Sequence, residues 1–257
     1  MLLNFDLSLV NQYKNNSQKI RVMSEQRISR YMYCVNCWET VLTQQPNNNK
    51  AWDFFCATCK TEFELKSKKD TLGWKINDWA YSSMIDKIEN NLQPNFFFLS
   101  YTWSYTIKDL LLLPKHFFTQ EIIEKRAPLA AQAQRAGRIW CNILFSNLPE
   151  TWKIYIVKNG QVKDKKEVKE QWKKWTFLEK QTLLTSKWRI LDTMKCIDKI
   201  PDKEFSLRQL YAFEPELSQK YTNNEHIKDK LRQQLQLLRD KWIIQFLSKS
   251  WNYRKLY

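Results

Sequence analysis

Glycine is almost absent from this chain: three residues in 257, Gly73, Gly137 and Gly160. No two are close enough to form the glycine-rich turn that cradles phosphate in P-loop and dinucleotide-binding folds. This argues against kinases and ATPases, and against dehydrogenases and methyltransferases that rely on such a turn. Histidine is as scarce, and His116 and His226 have no partner constellation around them, so both read as structural. No apolar run approaches the roughly 20 residues that a membrane helix needs. The N-terminal stretch MLLNFDLSLV has no basic leader and is interrupted by Asp6, so neither a membrane span nor a secretory signal is expected. Acidic residues are also short: 27 Asp and Glu face 42 Lys and Arg, a net charge of +15.

That surplus favours a polyanionic partner, because each phosphate neutralised by a cation releases condensed counterions. Nucleic acid is the first expectation, with a Lys- and Asn-rich chain that merely reflects the base composition of its genome as the competing explanation. The length suits one larger and one smaller domain. Six cysteines in a chain expected to stay in a reducing compartment point to metal rather than to disulfides.

The organisation reads as an α/β core followed by a different pattern. Residues 5 to 30 suggest one or two helices, 52 to 66 strands, and 76 to 88 a helix. Strands follow at 95 to 101, at 105 to 113 (ended by Pro114), at 139 to 145 and at 154 to 157, the last with Asn159-Gly160 as a tight hairpin turn. A charged helical stretch runs from about 163 to 187. The boundary is placed near 183, giving domains 1–183 and 184–257. The second contains three amphipathic helices: 190 to 200, a second started by a Ser206/Gln209 capping box, and a third from about His226 to Trp242. On the third, Ile227, Leu231, Gln234 and Leu238 share one face and Lys228, Arg232, Gln233, Gln236 and Arg239 the other. With strands at 243 to 246 and 253 to 256 as a wing, this is winged-helix organisation, α+β in class. The second domain carries 15 basic and 9 acidic residues, net +6, which leaves +9 on the first. Both can face DNA.

Cys34-Val-Asn-Cys37 and Cys56-Ala-Thr-Cys59 are two C-x-x-C knuckles separated by 18 residues. Brought together they give four thiolates in tetrahedral array, a closed structural site suited to Zn²⁺. Cys141 and Cys196 read as core cysteines. In the same stretch stand Asp53 and Glu64-Leu65-Lys66, the D-x(n)-E-x-K pattern of a nuclease metal site. Glu64 and Lys66, two apart on a strand, emerge on one face while Leu65 points into the core. Pairing Asp53 with Glu64 on antiparallel strands puts the turn midpoint between 58 and 59, inside the second knuckle, and two facing carboxylates there can share Mg²⁺. Such a metal, with Lys66 to orient or deprotonate water and to stabilise charge, suits phosphodiester hydrolysis. A solvated charge cluster around Lys66-Ser-Lys-Lys69 is the plain alternative.

Further blocks decide between these readings: Ser17-Gln-Lys19, Asp53-Phe54, Phe63-Glu-Leu-Lys-Ser-Lys-Lys69, Ile76-Asn-Asp78, Ala80-Tyr81, Pro94-Asn-Phe-Phe-Phe-Leu99, Pro128-Leu-Ala130, Arg135-Ala-Gly137, Cys196-Ile-Asp-Lys-Ile200, Arg232-Gln-Gln-Leu-Gln236 and Tyr253-Arg-Lys-Leu256. On these blocks and the cysteine quartet, the whole chain resembles the DpnI-type, adenine-methylation-dependent restriction endonucleases of bacteria. The resemblance implies a mixed α/β PD-(D/E)XK catalytic domain carrying the four-cysteine zinc site, followed by a C-terminal winged helix. It implies Mg²⁺-dependent double-strand cleavage at GATC whose adenine carries an N6-methyl group, in a cytoplasmic enzyme expected to be a monomer in solution. Asp53, Glu64 and Lys66 fall on the family's catalytic positions, with Asp53, Glu64 and Leu65 as magnesium ligands and Cys34, Cys37, Cys56 and Cys59 as zinc ligands. The sequence departs from the family at Arg138, where an aromatic is expected against the adenine methyl groups. Trp140 follows on the same strand face, either as its substitute or as core, and Trp79 replaces a small residue. Lys228, Arg232, Gln233 and Gln236 are the candidate groove contacts, and Lys249, Trp251 and Arg254 candidate phosphate contacts on the wing. Two rivals stand beside this reading: a same-fold nuclease with different or no methyl dependence, and a non-catalytic zinc-ribbon and winged-helix regulator.

Overall fold

The structure is a computed structural model that describes residues 2–39, 41–45, 52–180, 184–222, 224–248 and 251–257. It divides into two compact units, residues 1–172 and 173–257.

In the first unit the described elements run in chain order: helix α1 (Asn16–Tyr31), strands β1 (Thr43–Gln44), β2 (Phe54–Phe55), β3 (Glu62–Lys69) and β4 (Lys75–Ala80), helix α2 (Tyr81–Glu89), strands β5 (Asn95–Tyr101), β6 (Ile107–Leu113), β7 (Ile123–Lys125), β8 (Trp140–Leu144), β9 (Ile154–Lys158) and β10 (Gln161–Val162), then helix α3 (Lys165–Trp175), which crosses into the second unit. Seven strands form one sheet in the order β1-β2-β3-β5-β6-β9-β10. Its described pairs are antiparallel except β3 with β5, which run parallel in register Glu64↔Phe96 and Lys66↔Phe98. The uninterrupted run Phe96-Phe97-Phe98-Leu99 is fully buried, because a central strand covered on both faces has no solvent side for a polar residue. Phe63 on β3 stacks on Phe97 with ring centroids 4.9 Å apart. Asn159 and Gly160 both take positive φ, 50° and 73°, as the tight β9–β10 hairpin requires.

One segment differs from the sequence reading. Residues 75–80 form a strand, and the helix starts only at Tyr81. Ile76 and Asp78 are buried while Lys75 and Asn77 are exposed, a period of two that the apolar spacing of 76 to 88 concealed. Strand β4 pairs with β8, which pairs with β7, in a separate three-stranded antiparallel sheet.

The second unit contains α4 (Leu184–Lys199), β11 (Glu204–Ser206), α5 (Leu207–Tyr211), α6 (Glu214–Lys220), α7 (Ile227–Asp240), β12 (Ile244–Ser248) and β13 (Asn252–Lys255). The Ser206/Gln209 capping box is present, and Pro215 in the first turn of α6 separates it from α5. The stripe that α7 buries is Ile227, Leu231, Leu235 and Leu238. Leu235 therefore takes the place that the sequence reading gave to Gln234, since a leucine one position on lies within the same apolar arc and gains more by burial. Among the described residues the strands number three, in the order β11-β13-β12, where the sequence reading has a pair. β11 is three residues long and too short to leave a periodic signal.

Candidate active site

Both cysteine knuckles fold alike. Trp38 N–H donates to the Cys34 carbonyl and Lys60 N–H to the Cys56 carbonyl, each at 2.9 Å, while Cys34 N–H and Cys56 N–H donate to the carbonyls of Glu39 and Thr61. Trp38 and Lys60 close the two turns in the left-handed region, at φ 70° and 58°. The four Sγ atoms lie within 4.8 Å of one another, with Cys34–Cys59 at 3.5 Å and Cys37–Cys56 at 3.4 Å. A tetrahedral zinc with Zn–S of about 2.3 Å has sulfurs about 3.8 Å apart, so this four-cysteine cluster fits zinc in donor set and spacing. The six cysteines are free thiols.

The second knuckle is the turn between β2 and β3. Phe54 pairs with Phe63 and Phe55 with Glu62, where the paired register ends; Asp53 precedes β2 and does not continue it as a regular pair with Glu64. Asp53 N–H donates to the Phe63 carbonyl at 3.0 Å, and its Oδ2 accepts from Leu65 N–H at 2.8 Å. The second cysteine knuckle is thus the turn of the hairpin that carries Asp53 just before one strand and Glu64 on the other. Glu64 is buried at 6 % exposure, and burial pushes its carboxyl up to about 7, with Asp53 adding to the shift and Lys66 opposing it. Burial also raises Asp53, against the pull of the Leu65 N–H.

Lys66 Nζ lies 2.9 Å from Glu64 Oε1 and 2.6 Å from Asp78 Oδ1. Burial disfavours its charge, but the Asp78 and Glu64 carboxylates outweigh burial and hold the ammonium above the usual lysine range. Those two carboxylates favour the ammonium form of Lys66, which suits orienting water and stabilising developing charge. Asp78 is the residue that sequence reasoning missed as a site member. Its side chain is fully buried because β4 is a strand. The signal available was the i, i+2 pair Ile76 and Asp78 on a segment taken for a helix. Leu65 is half-buried rather than core. Its side chain faces α1, where Ile20, Arg21, Ser24 and Glu25 line a cleft with it.

The remaining candidates are spread out. Arg138 is exposed and precedes β8 rather than sharing a strand face with Trp140; its guanidinium lies 4.6 Å from the ring of the half-buried Trp140, which pairs with Ala80. In the second unit Lys228, Arg232, Gln233 and Gln236 are exposed on the face of α7 opposite the buried stripe. Lys228 pairs with Glu214 at 2.9 Å, Arg232 Nε donates to the Tyr211 hydroxyl at 2.5 Å, and Gln233 accepts from Lys230 at 3.1 Å. Trp251 is half exposed with the Arg232 guanidinium 5.9 Å from its ring, and Arg254 holds Glu204 through two donors at 3.0 and 2.7 Å. Lys249 and the side chain of Trp79 lie outside the described residues.

Residues 1–181 match the model of the Dam-replacing family (DpnI), and residues 185–255 match that of the Dam-replacing HTH domain. The chain belongs to this family. Membership implies a methylation-dependent restriction endonuclease, and the HTH domain implies DNA binding. Among the described residues no helix is long and apolar enough to cross a membrane.

Proposed function

We propose that this protein is a Mg²⁺-dependent endonuclease that makes double-strand breaks in DNA at GATC sites carrying N6-methyladenine, with residues 1–183 as a PD-(D/E)XK catalytic domain and 184–257 as a winged-helix reader. The observation that carries the proposal is the buried Glu64 carboxylate with the half-buried Asp53 carboxylate acting on it and Lys66 in contact with Glu64 and Asp78. Two neighbouring carboxylates, one buried and one half-buried, are costly by themselves, and an oxygen-preferring divalent cation relieves that cost. Asp53, Glu64 and the main-chain carbonyl of Leu65 would hold it. In a strand the N–H and C=O of one residue point to the same side, so the Leu65 carbonyl faces the open edge of β3 where its N–H meets Asp53. When bound, the ion supplies Lewis acidity to the phosphoryl oxygens and lowers the pKa of water. Lys66, clamped by Asp78, orients the attacking water and stabilises charge that develops as one P–O bond is exchanged for another.

On the reading side, Arg232 and Gln236 on the exposed face of α7 suit guanine and adenine edges in the major groove, while Lys228, Gln233, Lys249, Trp251 and Arg254 flank them for further groove and phosphate contacts. Trp140, with Arg138 over its ring, offers a flat apolar surface for an adenine methyl group. The test is purified protein with Mg²⁺ and plasmid from cells that do or do not methylate adenine in GATC, with Asp53→Ala as control. Fragmentation of the methylated plasmid alone, abolished by the substitution, is expected. Equal cutting of both plasmids removes methyl dependence. Binding without cutting moves the chain to the regulator class.

A further inference from the structure

Beside the carboxylates lies a cleft of about 370 Å³. One face of α1 lines it with Ser17, Arg21, Ser24 and Glu25, the i, i+3, i+4 spacing of a helix face. One face of β3 lines it with Leu65, Ser67 and Lys69, the i, i+2 spacing of a strand face. Leu65 belongs to both places, since its N–H holds Asp53.

Arg21 Nε donates to Glu25 Oε1 at 2.6 Å, and Glu25 Oε2 accepts from Gln44 Nε2 at 2.9 Å. The Glu25 side chain is 9 % exposed and that of Arg21 is 54 % exposed. A buried, doubly held carboxylate thus fixes a guanidinium whose head reaches solvent. An ordinary surface i, i+4 pair needs neither the burial nor the second partner. The Arg21 charge also acts on Asp53 and Glu64, where it offsets the repulsion that two carboxylates impose on an approaching phosphate. At the other end of the cleft, Lys69 places its ammonium over the ring of the exposed Trp103.

We infer that this cleft is a phosphate subsite for the DNA strand flanking the scissile bond, with Arg21 as the phosphate-binding guanidinium and Glu25 as the residue that positions it. The inference rests on the nuclease reading for its substrate. It gives α1 a function that the D-x(n)-E-x-K pattern does not assign, and its geometry matches the planar, forked recognition of phosphate that arginine supports and lysine does not.

The experiment measures binding of a GATC-methylated duplex without Mg²⁺, as a function of salt, for the wild type, Arg21→Gln, Arg21→Lys and Glu25→Gln, each checked by thermal unfolding. Arg21→Gln is expected to lower the slope of log K against log salt by about one unit, Arg21→Lys to retain most of the slope while binding more weakly, and Glu25→Gln to retain the slope while cleavage falls. A scan of single neutral methylphosphonate positions is expected to find one phosphate whose neutralisation weakens the wild type but not Arg21→Gln. The same slope and the same scan in a folded Arg21→Gln overturn the subsite, as does absence of measurable binding by any of the proteins. Plasmid cutting by the wild type is read separately. Its failure removes the nuclease reading, while the scan, which depends on binding alone, still decides the subsite.

Discussion

Two ion pairs of almost equal length mark the difference between the two units. In the first, Lys66 Nζ lies 2.6 Å from Asp78, whose side chain is completely buried. In the second, Arg254 lies 2.7 Å from Glu204, with side chains 43 % and 55 % exposed. Length does not separate them; surroundings do. A buried charge that loses its partner is stranded, at a cost of about 3–5 kcal/mol, whereas an exposed pair contributes about 0–1 kcal/mol and exchanges its partner for water or phosphate. The Lys66 cluster of the first unit therefore holds its charges in one arrangement, as chemistry at a phosphate needs. The second keeps cations such as Lys228, Arg232 and Arg254 in weak pairs that an incoming phosphate can replace.

The largest perturbation attacks the frame on one side only. Replacing Cys56 with serine removes one sulfur of the four-cysteine cluster from the turn between β2 and β3, and structural zinc sites supply on the order of 10 kcal/mol or more of folding free energy. The expected outcome is loss of cleavage and of zinc by elemental analysis. Thermal unfolding should turn biphasic, with the transition of the second unit retained.

Next in size is Lys66→Ala. It leaves Glu64 and Asp78 without their shared cation, so urea unfolding should report a destabilisation of about 3–5 kcal/mol and cleavage should fall at least about a hundredfold. The comparison breaks if Lys66→Ala is as stable as the wild type, because the pair is then no different from Arg254–Glu204.

The parts of this arrangement that were legible in the sequence are those written at short range. Two C-x-x-C knuckles and E-x-K carry their geometry in their spacing, and the antiparallel hairpin turning at the second knuckle follows from it, although Asp53 does not continue the paired register to Glu64. The strand at Asn95–Tyr101 was legible because an uninterrupted run of phenylalanine and leucine suits a central strand. Asp78 was not legible, because its burial depends on β4 pairing with β8, about sixty residues further along the chain, and a Trp and an Ala in the segment suit helix and strand alike. The choice of Leu235 over Gln234 required knowing which way α7 turns toward α4 and α6. Arg21 left no local mark, since an i, i+4 Arg–Glu pair is among the commonest features of any helix.

A third test uses pH. Burial pushes the Glu64 carboxyl from its ordinary value of 4.5 up to about 7 on folding. A carboxyl raised on folding contributes no penalty below its unfolded pKa, and costs stability progressively as pH rises through the folded value. Without added Mg²⁺, the wild type and Glu64→Gln should therefore be similarly stable near pH 4.5. The wild type should fall behind by up to about 3 kcal/mol by about pH 8, as read by urea unfolding at each pH. A constant gap across the range would mean that Glu64 is not desolvated and that the first unit resembles the second in this respect.

The smallest effect belongs to the exposed pair. Because Arg254 and Glu204 are both in contact with solvent, Arg254→Ala should change unfolding free energy by less than about 1 kcal/mol. Its consequence lies in the complex instead: if the guanidinium leaves Glu204 for a backbone phosphate, the variant should lose affinity similarly for all duplex sequences, and the slope of log K against log salt should fall by about one. Glu204→Gln should do the reverse, leaving Arg254 without its competitor and tightening DNA binding slightly. A loss of sequence preference in Arg254→Ala would instead place this arginine against a base edge, and the β11–β13 edge would then read sequence rather than hold the backbone.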